Sequence, residues 1–152
     1  MATRDNPYGA FNFIVSIGGV GGGEGQVAGG FCEVTGLDSA IVYAEYRNGN
    51  EKGNHVRKIP TLTKTGDVTL KRGLIGDLSL FSWLKAVRDG AYDPRTVAIT
   101  LLDEARVPVC VWTLRIAQPK KWVGPTLAAE VAGSLALEEL VLVAERIDFD
   151  SV

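Results

Sequence analysis

Short runs that alternate apolar with polar residues, each cut off by glycine, asparagine or proline, constrain this chain more than any other feature. In the first, Phe11, Phe13, Val15 and Ile17 alternate with Asn12, Ile14 and Ser16. A repeat of two puts the odd-numbered side chains on one face of a strand, against a core. A glycine-rich stretch, residues 18–30, ends that strand and holds eight of the chain's eighteen glycines. Alternation resumes in FCEVTGL and again in AIVYAEYRN, where Ile41, Tyr43 and Glu45 fall on one side and Val42, Ala44 and Tyr46 on the other. These are two strands, or one strand bent at Gly36. NGNEKGN, Asn48–Asn54, is made of turn formers and charges, and predicts an exposed hairpin tip returning through HVRKIP. GDVTLKRG is a further short strand, and TVAITLLDEARVPVCVWTLRIA reads as two strands turning at Asp103–Arg106.

Only one segment has a clear helical period. In DLSLFSWLKAVRDG, about residues 77–89, Asp77 is placed to cap the start and Gly90 to close the end. Ser79, Ser82, Lys85 and Asp89 form its polar stripe, which predicts Leu78, Phe81, Leu84 and Val87 on the core side and Trp83 at the edge. The final segment, SLALEELVLVAERIDF, fits a helix through Leu137, Leu140, Val141 and Ala144, and a strand through Leu135, Leu137, Val141 and Val143. Periodicity leaves both open. Many short strands and one helix predict a mainly β fold, with two packed antiparallel sheets as a sandwich or partly open barrel and the helix flanking it.

At 152 residues the chain is expected to form one domain, 1–152, with residues 1–9 as an N-terminal arm. No apolar run is long enough to cross a bilayer, and the start has no apolar segment of the kind that directs export, so folding in a cytoplasm and no membrane insertion are expected. Cys32 and Cys110 lie in apolar runs without a metal or redox motif and are expected as buried, reduced thiols.

The net charge of −2 argues against a nucleic-acid binder but conceals a polarity along the chain. Arg47, Lys52, Arg57, Lys58, Lys64, Lys71 and Arg72 face only Glu51 and Asp67, whereas Glu130, Glu138, Glu139, Glu145, Asp148 and Asp150 face only Arg146. Two solvated faces give one reading. The other is a self-complementary surface, where the basic part of one copy meets the acidic part of the next.

No catalytic pattern emerges. A phosphate loop of the GxxxxGK[ST] kind requires a Gly-Lys pair, and the chain has none. GEGQVA, Gly23–Ala28, matches a loose dinucleotide fingerprint, but that motif works at a helix N-terminus and a strand pattern follows here. His55 is the single histidine, no GxSxG signal accompanies it, and the neighbouring carboxylates Asp103 and Glu104 belong to a turn. No enzyme and no cofactor or metal site is expected. A small β-barrel binding domain with a glycine-rich anion-binding loop is the alternative class.

EVTGLD, EYRNGN, KIP and TLKRG, followed by SLFSWLKAV, VAITLLDE, VWTLRIAQPKKWVGPTL and LALEELVLVAERIDF, occur in that order from about Phe11 to Phe149. In this order the chain resembles the tail tube proteins of contractile phages and the inner tube proteins of phage-tail-like contractile injection systems. Thr61 after KIP, Gln118 before Pro119 and the length of the glycine run depart from the usual pattern. The resemblance implies a type VI and phage tail tube-like fold whose final segment is a strand. It also implies six-subunit rings stacked head to tail into a hollow tube, surrounded by a sheath, with baseplate or hub and terminator proteins at its ends and DNA or protein effectors in its lumen. Such a subunit is made in the cytoplasm and ends in the tail or injection particle. The hairpin 47–59 becomes a stacking element. Glu45, Tyr46, Arg47, Asn48, Asn50, Lys52, Arg57 and Lys58, with Glu138, Glu145 and Asp148 from the acidic tail, are then the expected contacts between subunits.

Overall fold

The computed structural model describes residues 3–18, 27–130 and 132–152, with the backbone alone at 27–29. The core of the glycine-rich run, 19–26, lies outside the described residues. The run gives up Val27–Gly29 to a short strand, β2, which pairs antiparallel with β1, Phe13–Ile17. The remaining elements in chain order are β3 Phe31–Thr35, β4 Ser39–Tyr46, β5 Arg57–Thr65, β6 Val68–Gly73, α1 Ser79–Arg88, β7 Arg95–Leu102, β8 Pro108–Val123, β9 Leu137–Val143 and β10 Arg146–Ser151.

One strand organises the body. The first half of β8 bonds to β7 and β10, and its last residues, from Gln118 on, bond to β9. Between the halves Ile116 takes a positive φ of 52°, and the register with β7 slips between Arg95 and Val97. A bulge of this kind bends a strand and increases its twist. The bend splits an eight-stranded antiparallel array into two layers: β2-β1-β7-β8-β10, and β8-β9-β6-β3. They share a core of Val15, Ile17, Val97, Ile99 and Leu114 from one layer and Val68, Leu70, Leu140 and Leu142 from the other. The array stays open, so the expected two-layer β fold with one flanking helix is borne out.

The C-terminal segment is two strands. On β9 the buried positions are Glu138, Leu140 and Leu142, a period of two. Glu138 is therefore not a surface acid, which corrects its expected place in an acidic face: it is 2% exposed. Its Oε1 accepts from Arg72 Nε at 2.5 Å and its Oε2 from Trp122 Nε1 at 3.1 Å. Arg72, equally buried, also donates to the carbonyl of Asp77 at 2.9 Å, so the pair anchors the approach to the helix. Burial of two charges is tolerated because each is met by the other and by further hydrogen bonds.

In α1 the core side is Leu80, Trp83 and Val87, not the expected Leu78, Phe81 and Leu84, and Leu78 is 65% exposed. The helix begins after Leu78, so the inward stripe is shifted. Trp83 goes fully inside because its Nε1 donates to the carbonyl of Asp93 at 2.9 Å, satisfying the one polar atom of the ring. Asp77 acts from just outside the first turn, its Oδ1 accepting from the Ser79 amide at 3.0 Å. Gly90, at φ 107°, ends the helix: its amide donates to Val87 and that of Ala91 to Ala86, the paired bonds of a Schellman motif. Cys110 is buried as expected, but Cys32 is exposed.

Candidate functional site

β4 and β5 form a two-stranded ribbon apart from the eight-stranded array. The register runs from Ser39 opposite Thr65 at the base to Tyr46 opposite Arg57 near the tip. An irregularity between Ile41 and Tyr43 lets β5 carry one extra residue, and the Thr61 hydroxyl donates to the Val42 carbonyl at 2.6 Å there. Every residue of β4 is exposed, and every residue of β5 except Thr65. That includes Ile41, Val42, Tyr43 and Ile59, with Leu62 at 68% exposure. Opposed residues of an antiparallel pair share a face. One face therefore carries Glu45 and Lys58, Tyr43 and Pro60, Ile41 and Thr63, and the other Tyr46 and Arg57, Ala44 and Ile59. Both faces are apolar in the middle, and neither is covered.

The tip is tied together by its own polar groups. Arg47 donates from Nε to the carbonyl of Gly53 and from Nη2 to that of Glu51, each at 3.0 Å. Tyr46 donates to Asn48 Oδ1 at 2.5 Å, and Asn48 donates to Glu51 Oε1 at 3.4 Å. Glu51 takes the Arg57 guanidinium, and Glu45 takes the Lys58 ammonium across the strands. Asn50 and Lys52 stand exposed at the turn. Of the four cations expected to make contacts between subunits, three serve the hairpin's own shape, Arg47 through backbone carbonyls and Arg57 and Lys58 through carboxylates, and among the described residues Lys52 makes no such contact.

The acidic residues lie elsewhere. Thr65 Oγ1 donates to the Ala144 carbonyl at 2.7 Å, which fastens the ribbon's base beside Glu145, itself exposed. Asp148 on β10 accepts from Arg146 at 2.7 Å and Arg115 at 3.2 Å. The Arg146 hydrogen bond above all, with help from Arg115, holds its carboxyl below the ordinary range. From tip to base β5 spans eight residue steps, about 26 Å at about 3.3 Å per step. The structure thus brings Glu45, Tyr46, Arg47, Asn48, Asn50, Lys52, Arg57 and Lys58 together and sets Glu145 and Asp148 at the opposite end, with Glu138 inside the body. Sequence reasoning missed the apolar residues Ile41, Val42, Tyr43, Ile59 and Leu62. The available signal was β4's apolar content on both of its alternating faces, which marks a strand with two surfaces to cover.

Among the described residues no group of three or more His, Cys, Asp or Glu side chains is placed to hold a metal ion, and no helix is long and apolar enough to cross a membrane. The glycine-rich run leads into a strand, so no helix N-terminus follows it to receive a phosphate.

Residues 9–148 match the family of the T4-like virus tail tube protein gp19. The chain belongs to that family. As a tail tube protein it has structural counterparts at similar length. It superposes on a chain of an extracellular contractile injection system, the PVC sheath-tube complex in its extended state, with TM-score 0.82 and 27% identity, over 96% of this chain and 93% of that one. A chain from the PVC sheath/tube terminator, also extended, gives 0.83 and 26%, over 97% and 99%. Hcp1 from Flavobacterium johnsoniae shares the fold alone, at TM-score 0.53 and 13% identity over 91% of this chain and 96% of that one. Among curated protein sequences, none matches the chain.

Proposed function

We propose that this tail tube protein assembles into six-subunit rings that stack head to tail into a hollow tube, which a contractile sheath surrounds and drives through a target envelope. The observation that carries the reading is the bare ribbon. A two-stranded hairpin is marginal in water by itself, and this one exposes apolar side chains on both faces. Neighbouring subunits supply the missing cover. Stacking is a heterologous contact, so tip and base are different surfaces; a tip bearing Lys52 reaching the Glu145 end of the next copy fits that requirement.

The relatives support the partners: one is part of a sheath-tube complex and another of a tube terminator. By analogy this subunit meets sheath, baseplate or hub, and terminator proteins, and its lumen conducts DNA or protein effectors without covalent chemistry. It folds and assembles in the cytoplasm and works in the finished particle. Within its single domain, residues 47–59 are the stacking element.

The test is assembly. Electron micrographs of the purified protein are expected to show sixfold rings and tubes. Reversing Arg47, Lys52, Arg57 and Lys58 to glutamate is expected to leave rings without long tubes. Lys52→Glu alone is expected to weaken stacking while leaving the tip folded, whereas Arg47→Ala acts by loosening the tip. Long tubes from the fourfold reversal would remove the tip from the stacking contact.

A further inference from the structure

The two layers of the body are offset. Along the inner face of β7 and β8, Val97, Ile99 and Leu114 are covered by the second layer, but the far end, at Leu101 and Cys110, lies beyond it. The N-terminal arm crosses that end. Pro7 and Tyr8 face Leu101, Cys110, Trp112 and Phe149 across a groove of about 410 Å³. Trp112 and Phe149 stack there with ring centroids 5.0 Å apart, and Phe149 remains 55% exposed. The arm covers the groove without filling it.

A single side chain organises the cover. Arg4 donates from Nη1 and Nη2 to the two carboxylate oxygens of Glu104, at 2.9 Å each. Nη2 also donates to the Pro7 carbonyl at 2.8 Å, and the guanidinium lies 3.8 Å from the centroid of the Tyr8 ring. Arg4 thus folds the arm and fastens it to the β7–β8 turn. At the other end, the Leu102 amide donates to the Asn12 carbonyl at 2.9 Å. The Arg4 and Glu104 side chains are 32% and 61% exposed, so the bond that holds the cover is one that salt screens.

We propose that the N-terminal arm is a salt-sensitive strap. Closed, it shields the apolar end of the first layer in the free subunit; open, it uncovers Trp112 and Phe149 to other copies of the chain. The strap stands on the arm's own contacts, and its effect on association rests on the tube reading.

Cys110 reports the strap, because it lies under the arm and is 3% exposed. Cys32 is exposed and is replaced by serine for the measurement. In dilute, unassembled protein, labelling of Cys110 by an aromatic disulfide is expected to be slow. It is expected to accelerate between about 0.1 and about 1 M salt, as the screening length falls from about 10 Å to about 3 Å. Arg4→Ala is expected to label about fivefold faster at low salt, to lose the salt dependence and to associate sooner. The exchanged pair Arg4→Glu with Glu104→Arg restores slow labelling, which a merely unfolded arm would not do. Wild-type labelling that ignores salt, together with an Arg4→Ala rate equal to wild type, overturns the strap. So does slower association of Arg4→Ala, since the arm would then be part of the contact rather than its cover. Faster labelling with no rings or tubes from either protein leaves the strap standing and sinks the tube reading.

Discussion

The β6–β9 pair and the β4–β5 ribbon are both antiparallel, yet they stand in opposite relations to solvent. In the first, Val68, Leu70, Leu140 and Leu142 turn inward to a shared core, while Thr69, Lys71, Glu139 and Val141 turn outward. In the second, no face turns inward. Their charges differ in the same sense. Arg72 and Glu138 are sealed in the body, whereas Glu45 and Lys58 meet in open water. Strand-forming residues make a ladder in either place, but only the body gains from burying them. In the proposed tube the ribbon's apolar surface is the part that a neighbouring copy would cover, and its stability would belong to the assembly.

Mutations separate the two regions by size of effect. Removing one partner of the buried pair, as in Glu138→Ala, leaves the Arg72 charge, among the described carboxylates, only the longer contact to Asp77, at 3.4 Å, and the Trp122 N–H without its acceptor, and is expected to cost about 3–5 kcal/mol. Denaturant unfolding measures it, and a loss below about 1 kcal/mol would place water at the site. Leu140→Ala, fully buried, is expected to cost about 2–5 kcal/mol through lost transfer energy and a cavity. Ile59→Ala on the ribbon is expected to change free-subunit stability by no more than about 0.5 kcal/mol while impairing assembly. A large melting shift in the unassembled Ile59 variant would break the contrast.

The smallest effect concerns acid. The Arg4 hydrogen bond lowers the Glu104 pKa from 4.5 to about 2. A depressed carboxyl stabilises the fold above its unfolded pKa, and the contribution fades as pH falls from about 4.5 toward about 2. Because both side chains are exposed, the change in stability is expected to be slight, and carboxyl chemical shifts are the sensitive measure. Arg4→Ala is expected to return the Glu104 midpoint toward 4.5.

Local pattern marked β6, the β7–β8 hairpin and the tip of the ribbon, because each is bounded by turn formers and obeys a period of two. It did not mark the inside of β9, since Glu138 turns inward only because Arg72, 66 residues earlier in the chain, arrives opposite it. Nor did it fix the helix face: Leu78 and Leu80 are equally apolar, and only the start of the helix decides between them. At the ribbon, charge drew attention to Arg47, Arg57 and Lys58, which mostly hold the hairpin itself. Ile41, Tyr43 and Leu62 read like buried strand, and what leaves them bare is that no layer lies behind them among the described residues.

The shared strand β8 has a mechanical consequence. Two sheets held only by side chains can creep over one another when loaded along one layer. Here a continuous backbone passes through both, turning at Ile116, with ladders to β7 on one side of the turn and β9 on the other. Displacing one layer therefore requires hydrogen bonds in both ladders to break along with the core contacts. In the proposed tube, the two layers of each subunit would therefore bear thrust together.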